Sequence, residues 1–93
     1  PIDDAGATIL AECKSLTELN LPSTVISDTG LSKLCKLPLM QLRLGSPNVT
    51  DTGIASLSQL NGLKFLHLVD VPITDAALPG LEKLESLESF YLD

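Results

Sequence analysis

Apolar residues recur along this chain in two alternating rhythms. Leucine or Phe90 takes every second position within 17–21, 40–44, 64–68 and 88–92, the period of a half-buried strand. Between these stretches apolar residues fall three apart: Leu31, Leu34 and Leu37; Ile54, Leu57 and Leu60; Leu78, Leu81 and Leu84. That spacing predicts short helices of roughly ten residues. A hydroxyl residue and an aspartate precede each run, as Ser27-Asp28, Thr50-Asp51 and Thr74-Asp75. The hydroxyl can cap the free backbone N–H groups, and the acid sits at the positive end of the helix dipole.

The two rhythms share one period. Leu-x-x-Leu-x-Leu occurs as Leu16, Leu19, Leu21; Leu39, Leu42, Leu44; and Leu63, Leu66, Leu68. Five residues after each last leucine come Ile26-Ser27-Asp28, Val49-Thr50-Asp51 and Ile73-Thr74-Asp75, with steps of 23 and then 24 residues between copies. Half copies flank them, Ile2 to Gly6 before and Leu87, Phe90, Leu92 after. Strands that recur with a helical return between them pair in parallel through right-handed crossovers. A helix is about 10 Å wide and paired strands sit about 4.8 Å apart, so the stack must curve with the sheet inside. The fold class expected is α/β, a right-handed solenoid with a parallel concave sheet and short convex helices.

Leu-x-x-Leu-x-Leu followed by Ile-Thr-Asp-x-Gly-Leu resembles the leucine-rich repeat family, in the bacterial and F-box-like version of its second half. The resemblance covers about three full repeats and two half repeats, making residues 1–93 a single leucine-rich repeat domain. It implies a protein-recognition scaffold with the concave sheet as its contact surface and no catalysis of its own. Three departures stand out. The Asn or Cys that ladders neighbouring turns in the family is Thr24, Pro47 and Val71 here, leaving the turn to shape and Thr24 alone. Leu37-Pro38-Leu39 is one residue shorter than Leu60-Asn61-Gly62-Leu63, which predicts a local kink. Pro79-Gly80 lies early in the third helix, which should be short, late-starting or partly 3₁₀.

Composition narrows the partner. A net charge of −6 disfavours nucleic acid, and no apolar run is long enough to cross a bilayer, so the chain reads as soluble without a membrane role. Residues 47–93 carry seven acids and two bases against five and four in 1–46, which favours a basic partner surface weakly and solubility more. Two cysteines make no disulfide framework and lean towards a reducing, cytoplasmic compartment. The register equates Cys13 with Leu37, Leu60 and Leu84, a buried slot. Cys35 falls with Ala11, Ser58 and Glu82, an exposed one. No glycine-rich phosphate loop occurs, so no cofactor is expected.

Residues between the strand leucines stack into columns on the face turned away from the core. One column is Asn20, Arg43, His67 and Tyr91, which gathers the only arginine, histidine and tyrosine of the chain. Flanking columns bring Met40 and Lys64, and Gln41 and Phe65. Arg and Tyr are enriched at binding hot spots, so these eight residues are the candidate contact surface for a protein or peptide. A plainer account competes: large side chains suit exposed strand positions, and Arg43 between Asn20 and His67 can be a structural ladder. His67 has no nucleophile or orienting carboxylate in its column, and Asp70 falls at the strand's end, which argues against catalysis or a metal. The alternatives to a recognition module are a purely structural segment of a longer solenoid and a noncatalytic domain of a larger protein, such as a ubiquitin-ligase adaptor. The period is cut at both ends, which points to a fragment of a longer chain or to self-association through uncapped ends.

Overall fold

The computed structural model describes all 93 residues. Strands β1 (Glu18–Leu21), β2 (Gln41–Gly45), β3 (Phe65–Val69) and β4 (Ser89–Leu92) form one parallel sheet in the order β1-β2-β3-β4. Helices α1 (Asp4–Leu10), α2 (Asp28–Leu34), α3 (Asp51–Ala55) and α4 (Leu78–Glu82) alternate with them. The register follows the leucine motif: Leu19 pairs with Leu42, Leu42 with Leu66, and Leu66 with Phe90. Leu42, Leu44, Leu66 and Leu68 are buried in a core of 21 apolar residues. Burying one such side chain contributes about 1.5–3 kcal/mol. No unit can bury its own leucines, so each depends on its neighbours.

The helices are shorter than ten residues. α2 has seven, and α3 has five before a 3₁₀ turn at Ser56–Gln59. The hydroxyls of Ser27, Thr50 and Thr74 accept from the N–H groups of Thr29, Thr52 and Ala76, as capping requires. The helical segment after β3, expected to start late, begins as a 3₁₀ turn, Asp75–Ala77, and becomes α-helical, as α4, only at Leu78. This places Pro79 in the first α-turn, where its missing donor costs little.

The aspartates do more than face a helix dipole. Asp4 accepts from the N–H (2.8 Å) and the hydroxyl (2.6 Å) of Ser27. Asp28 takes the same pair from Thr50 at 2.8 and 2.6 Å, and Asp51 from Thr74 at 2.7 and 2.6 Å. Every rung ties the helix start of one unit to the N-cap of the next. The ladder also explains the Asp-x-Gly spacing. A Cβ on Gly30 would lie 2.2 Å from Asp4 Oδ1, and one on Gly53 would lie 2.1 Å from Asp28 Oδ1. Where Ala77 replaces this glycine, the helix opens with the 3₁₀ turn instead. The hydroxyl and N–H of Ser27 hold the Asp4 carboxyl below its ordinary range, and Thr74 does the same for Asp51.

The turn after the strand is held by more than shape and Thr24. The Thr24 N–H (2.9 Å) and hydroxyl (2.8 Å) both donate to the Gly45 carbonyl. In the next unit the Ser46 hydroxyl donates to the Ile26 carbonyl and Asn48 Nδ2 to the Val25 carbonyl. The shortened connection is absorbed locally. Elsewhere the turn closes over three residues, as from Leu63 N–H to Leu60 O, whereas Leu39 N–H bonds Leu37 O at 2.9 Å.

Burial departs from the repeat register at several residues, three of them on or beside the helices. Cys13 is exposed and Cys35 is buried at 3%, the reverse of what the register predicts. Leu78 is 49% exposed although its equivalents Leu31 and Ile54 are fully buried. The cause is shared. Cys35 follows a helix packed between two others, while Cys13 and Leu78 belong to the first and last helical segments, which have a neighbour on one side only.

Candidate recognition surface

Alternation along the strands turns Gln41 and Arg43, Phe65 and His67, and Tyr91 towards the outer face of the sheet. Pairing runs Asn20 to Arg43 to His67 to Tyr91, and Glu18 to Gln41 to Phe65 to Ser89. Both columns therefore exist as the sequence pattern places them. Gln41, Arg43, Phe65, His67 and Tyr91, with Leu42 and Leu66, line a shallow depression of about 220 Å³. Asn20 stands beside it, and its Oδ1 accepts a long bond from Arg43 Nη1 at 3.4 Å. Met40 and Lys64 precede their strands and do not line the depression; Met40 is exposed and Lys64 is half-buried.

His67 has a carboxylate partner that its column does not contain. Its Nε2 lies 2.7 Å from Asp93 Oδ2, and the Tyr91 ring packs against it at 5.8 Å between centroids, tilted by 57°. The column of His67 holds no carboxylate, as its sequence pattern says, but one reaches it from outside the column. The position was readable from the sequence: Asp93 is two residues beyond Tyr91, on the same face, and extends the column of Gly45 and Val69. The Asp93 backbone is fixed as well, since its N–H donates to Leu68 O and its carbonyl accepts from Asp70 N–H. Asp70 does close its strand, in the left-handed region at φ 53°.

His67 and Asp93 form the one salt-bridge contact of the molecule, which leaves the Arg43 fork without a carboxylate partner. No group of three or more His, Cys, Asp or Glu side chains is arranged to hold a metal ion.

The features common to each unit, a Leu-x-Leu strand and a hydroxyl-capped helix, meet in the segment built from β1, Ser27 and α2. Residues 12–35 match the family model described as Leucine Rich repeat. The fold is that of a leucine-rich repeat solenoid, with parallel strands alternating with short helices. Such repeats commonly serve as protein-interaction scaffolds and are typically noncatalytic. No curated protein and no solved structure matches the chain. No helix of this leucine-rich repeat fold is long and apolar enough to cross a membrane.

Proposed function

We propose that the chain is a protein-interaction module that binds an extended segment of a protein or peptide across its sheet face. The observation that carries this reading is the convergence of the only Arg, His and Tyr, with Phe65 and Gln41, around one depression. Its size favours a macromolecular partner. At about 220 Å³ it falls below the roughly 300–1,000 Å³ of sites that enclose small molecules. Phe65 and Tyr91 offer apolar area at low conformational cost, and Arg43 offers unfilled donors to a carboxylate or backbone carbonyl. Met40, Lys64 and Asn20 extend this surface at its margins. The same reading takes the repeats as the bacterial or F-box-like type.

The test uses peptides selected against the chain from a random display library. Their binding should shift backbone amide resonances within 41–43, 65–67 and 89–92. Replacing Arg43, His67 and Tyr91 together by alanine should weaken binding about 30-fold or more, the equivalent of one hot spot of about 2 kcal/mol, with the fold intact by circular dichroism. Undiminished affinity in the folded triple variant rejects this surface.

A further inference from the structure

Three turns lead towards strands with the same geometry. Cys13-Lys14-Ser15-Leu16, Leu60-Asn61-Gly62-Leu63 and Leu84-Glu85-Ser86-Leu87 each close with the last N–H on the first carbonyl, at 3.0, 3.1 and 3.2 Å. The middle turn alone places an asparagine before a glycine. Asn61 and Gly62 are both exposed, the Gly62 N–H donates to no protein acceptor, and a Cβ on Gly62 would meet nothing within 4 Å. An unblocked backbone nitrogen and a side-chain amide carbon therefore stand side by side without steric cover. The Ser86 hydroxyl, one unit on, donates to the Asn61 carbonyl at 2.7 Å. That carbonyl belongs to the same peptide group as the Gly62 nitrogen.

We propose that Asn61 is a site of self-modification, converted to aspartate and isoaspartate by its own chain and water, and that the Ser86 hydroxyl assists the step. The Gly62 nitrogen gives up its proton to solvent base and attacks Cγ of Asn61. The new N–C bond closes a five-membered succinimide, and the side-chain nitrogen leaves with a proton from solvent as ammonia. Water then opens the ring at one carbonyl to give aspartate or at the other to give isoaspartate. Holding both reacting groups in one turn makes the attack intramolecular. Loss of the proton spreads negative charge from the Gly62 nitrogen onto the Asn61 carbonyl oxygen, so a hydroxyl aimed at that oxygen favours the reactive form.

The other two asparagines are held away from this chemistry. Asn48 Nδ2 donates to the Val25 carbonyl at 3.1 Å, and the residue after it is the fully buried, β-branched Val49. Asn20 lies inside β1, where pairing with β2 keeps its backbone extended, and Leu21 follows it. Conversion at Asn61 adds one negative charge to the chain. Isoaspartate also routes the main chain through the former side chain, which lengthens the turn by a methylene. That insertion works against the closing bond from Leu63 N–H to Leu60 O and loosens the entry to β3.

Peptide mapping by mass spectrometry during incubation at mildly alkaline pH should show a gain of about one dalton at Asn61 well before Asn20 or Asn48. An isoaspartate-directed methyltransferase should transfer labelled methyl groups to the aged chain and not to the fresh one. Gly62→Ser, which places there the residue of the two sister turns, should suppress the gain, and Gly62→Ala should do the same if the serine variant loses its fold. Ser86→Ala should slow conversion about threefold or more, the rate equivalent of one net hydrogen bond, and Ser86→Thr should restore it. In urea, which dissolves the turn, the native chain and Ser86→Ala should convert at one rate. Conversion of Asn61 no faster than that of Asn20 and Asn48 in the folded chain overturns the site. Ser86→Ala that is folded by circular dichroism and converts as fast as the native chain overturns the assistance, as does a Ser86 effect that persists in urea.

Discussion

Replacing Gly45 by alanine should destabilise the chain by about 2–4.5 kcal/mol. A Cβ there would lie 1.9 Å from the Pro22 carbonyl oxygen, 2.7 Å from its carbon and 2.9 Å from the Val69 oxygen. Ordinary contact between such atoms is about 3.5 Å, so β2 must separate from the exit of β1 by more than 1 Å. Backbone is crowded on both sides, and no side chain can rotate out of the way. A separation of that size breaks both Thr24 bonds to the Gly45 carbonyl, now 2.9 and 2.8 Å, and strands a residue that is only 4% exposed. Two lost bonds at about 1 kcal/mol each, plus about 1–3 kcal/mol for the unsatisfied buried groups, give the gross effect. The reduced flexibility of the unfolded chain offsets it by about 0.4–1 kcal/mol. Total stability for a chain of this length is about 5–14 kcal/mol, so the loss is large. Urea unfolding followed by circular dichroism should show the midpoint fall by roughly 1.3–3 M at a slope of about 1.5 kcal/mol/M. Gly62→Ala is the internal control. Nothing lies within 4 Å of its Cβ and its φ is not positive, so only the entropic gain remains. A Gly45→Ala midpoint at or above the native one would refute the close-approach argument.

The ladder makes stability depend on acid pH. Asp4 and Asp51 are held below their ordinary value of 3.8 by Ser27 and Thr74, so their bonds contribute fully above that value and are lost as pH falls through the lowered one. The urea midpoint should therefore drop below pH 4, and Asp51→Ala should start lower at pH 7 and fall less steeply; parallel curves would remove the ladder from the explanation. Burial pushes the Cys35 thiol up to about 12, whereas Cys13 is exposed. A chromogenic disulfide reagent at pH 8 should titrate one thiol in the folded chain and the second only on unfolding. Two fast equivalents would contradict the burial of Cys35.

The strands, their register and the hydroxyl caps were legible because period-two alternation and the Ser/Thr-Asp pairs leave little choice of face or phase. The column of Asn20, Arg43, His67 and Tyr91 followed from counting alone. What stayed hidden depends on neighbours. Cys13 and Leu78 share a register with buried residues, yet lie on segments packed from one side, and register says nothing about what stands alongside. Asp28 and Asp51 were read against their own helices, although their partners lie a full unit away. Their spacing to Gly30 and Gly53 was visible, but its reason is a contact between units. Asp93 was overlooked beside His67 because a column was followed straight across the strands and not along the diagonal.

The short turn at Leu37–Leu39 and the two rows of cross-unit hydrogen bonds also bear on stiffness. Along the sheet, parallel pairing holds neighbouring units at a fixed spacing, and at the helix starts the Asp rungs do the same. The bodies of α2 and α3 are joined mainly by aliphatic side chains, whose separation follows their volume. A column clamped on one side and padded on the other flexes like a bimetallic strip. Its curvature follows the volume of the side chains packed between the helices, so a change of one methylene at the fully buried Leu34 or Leu57 should alter how wide the sheet face opens.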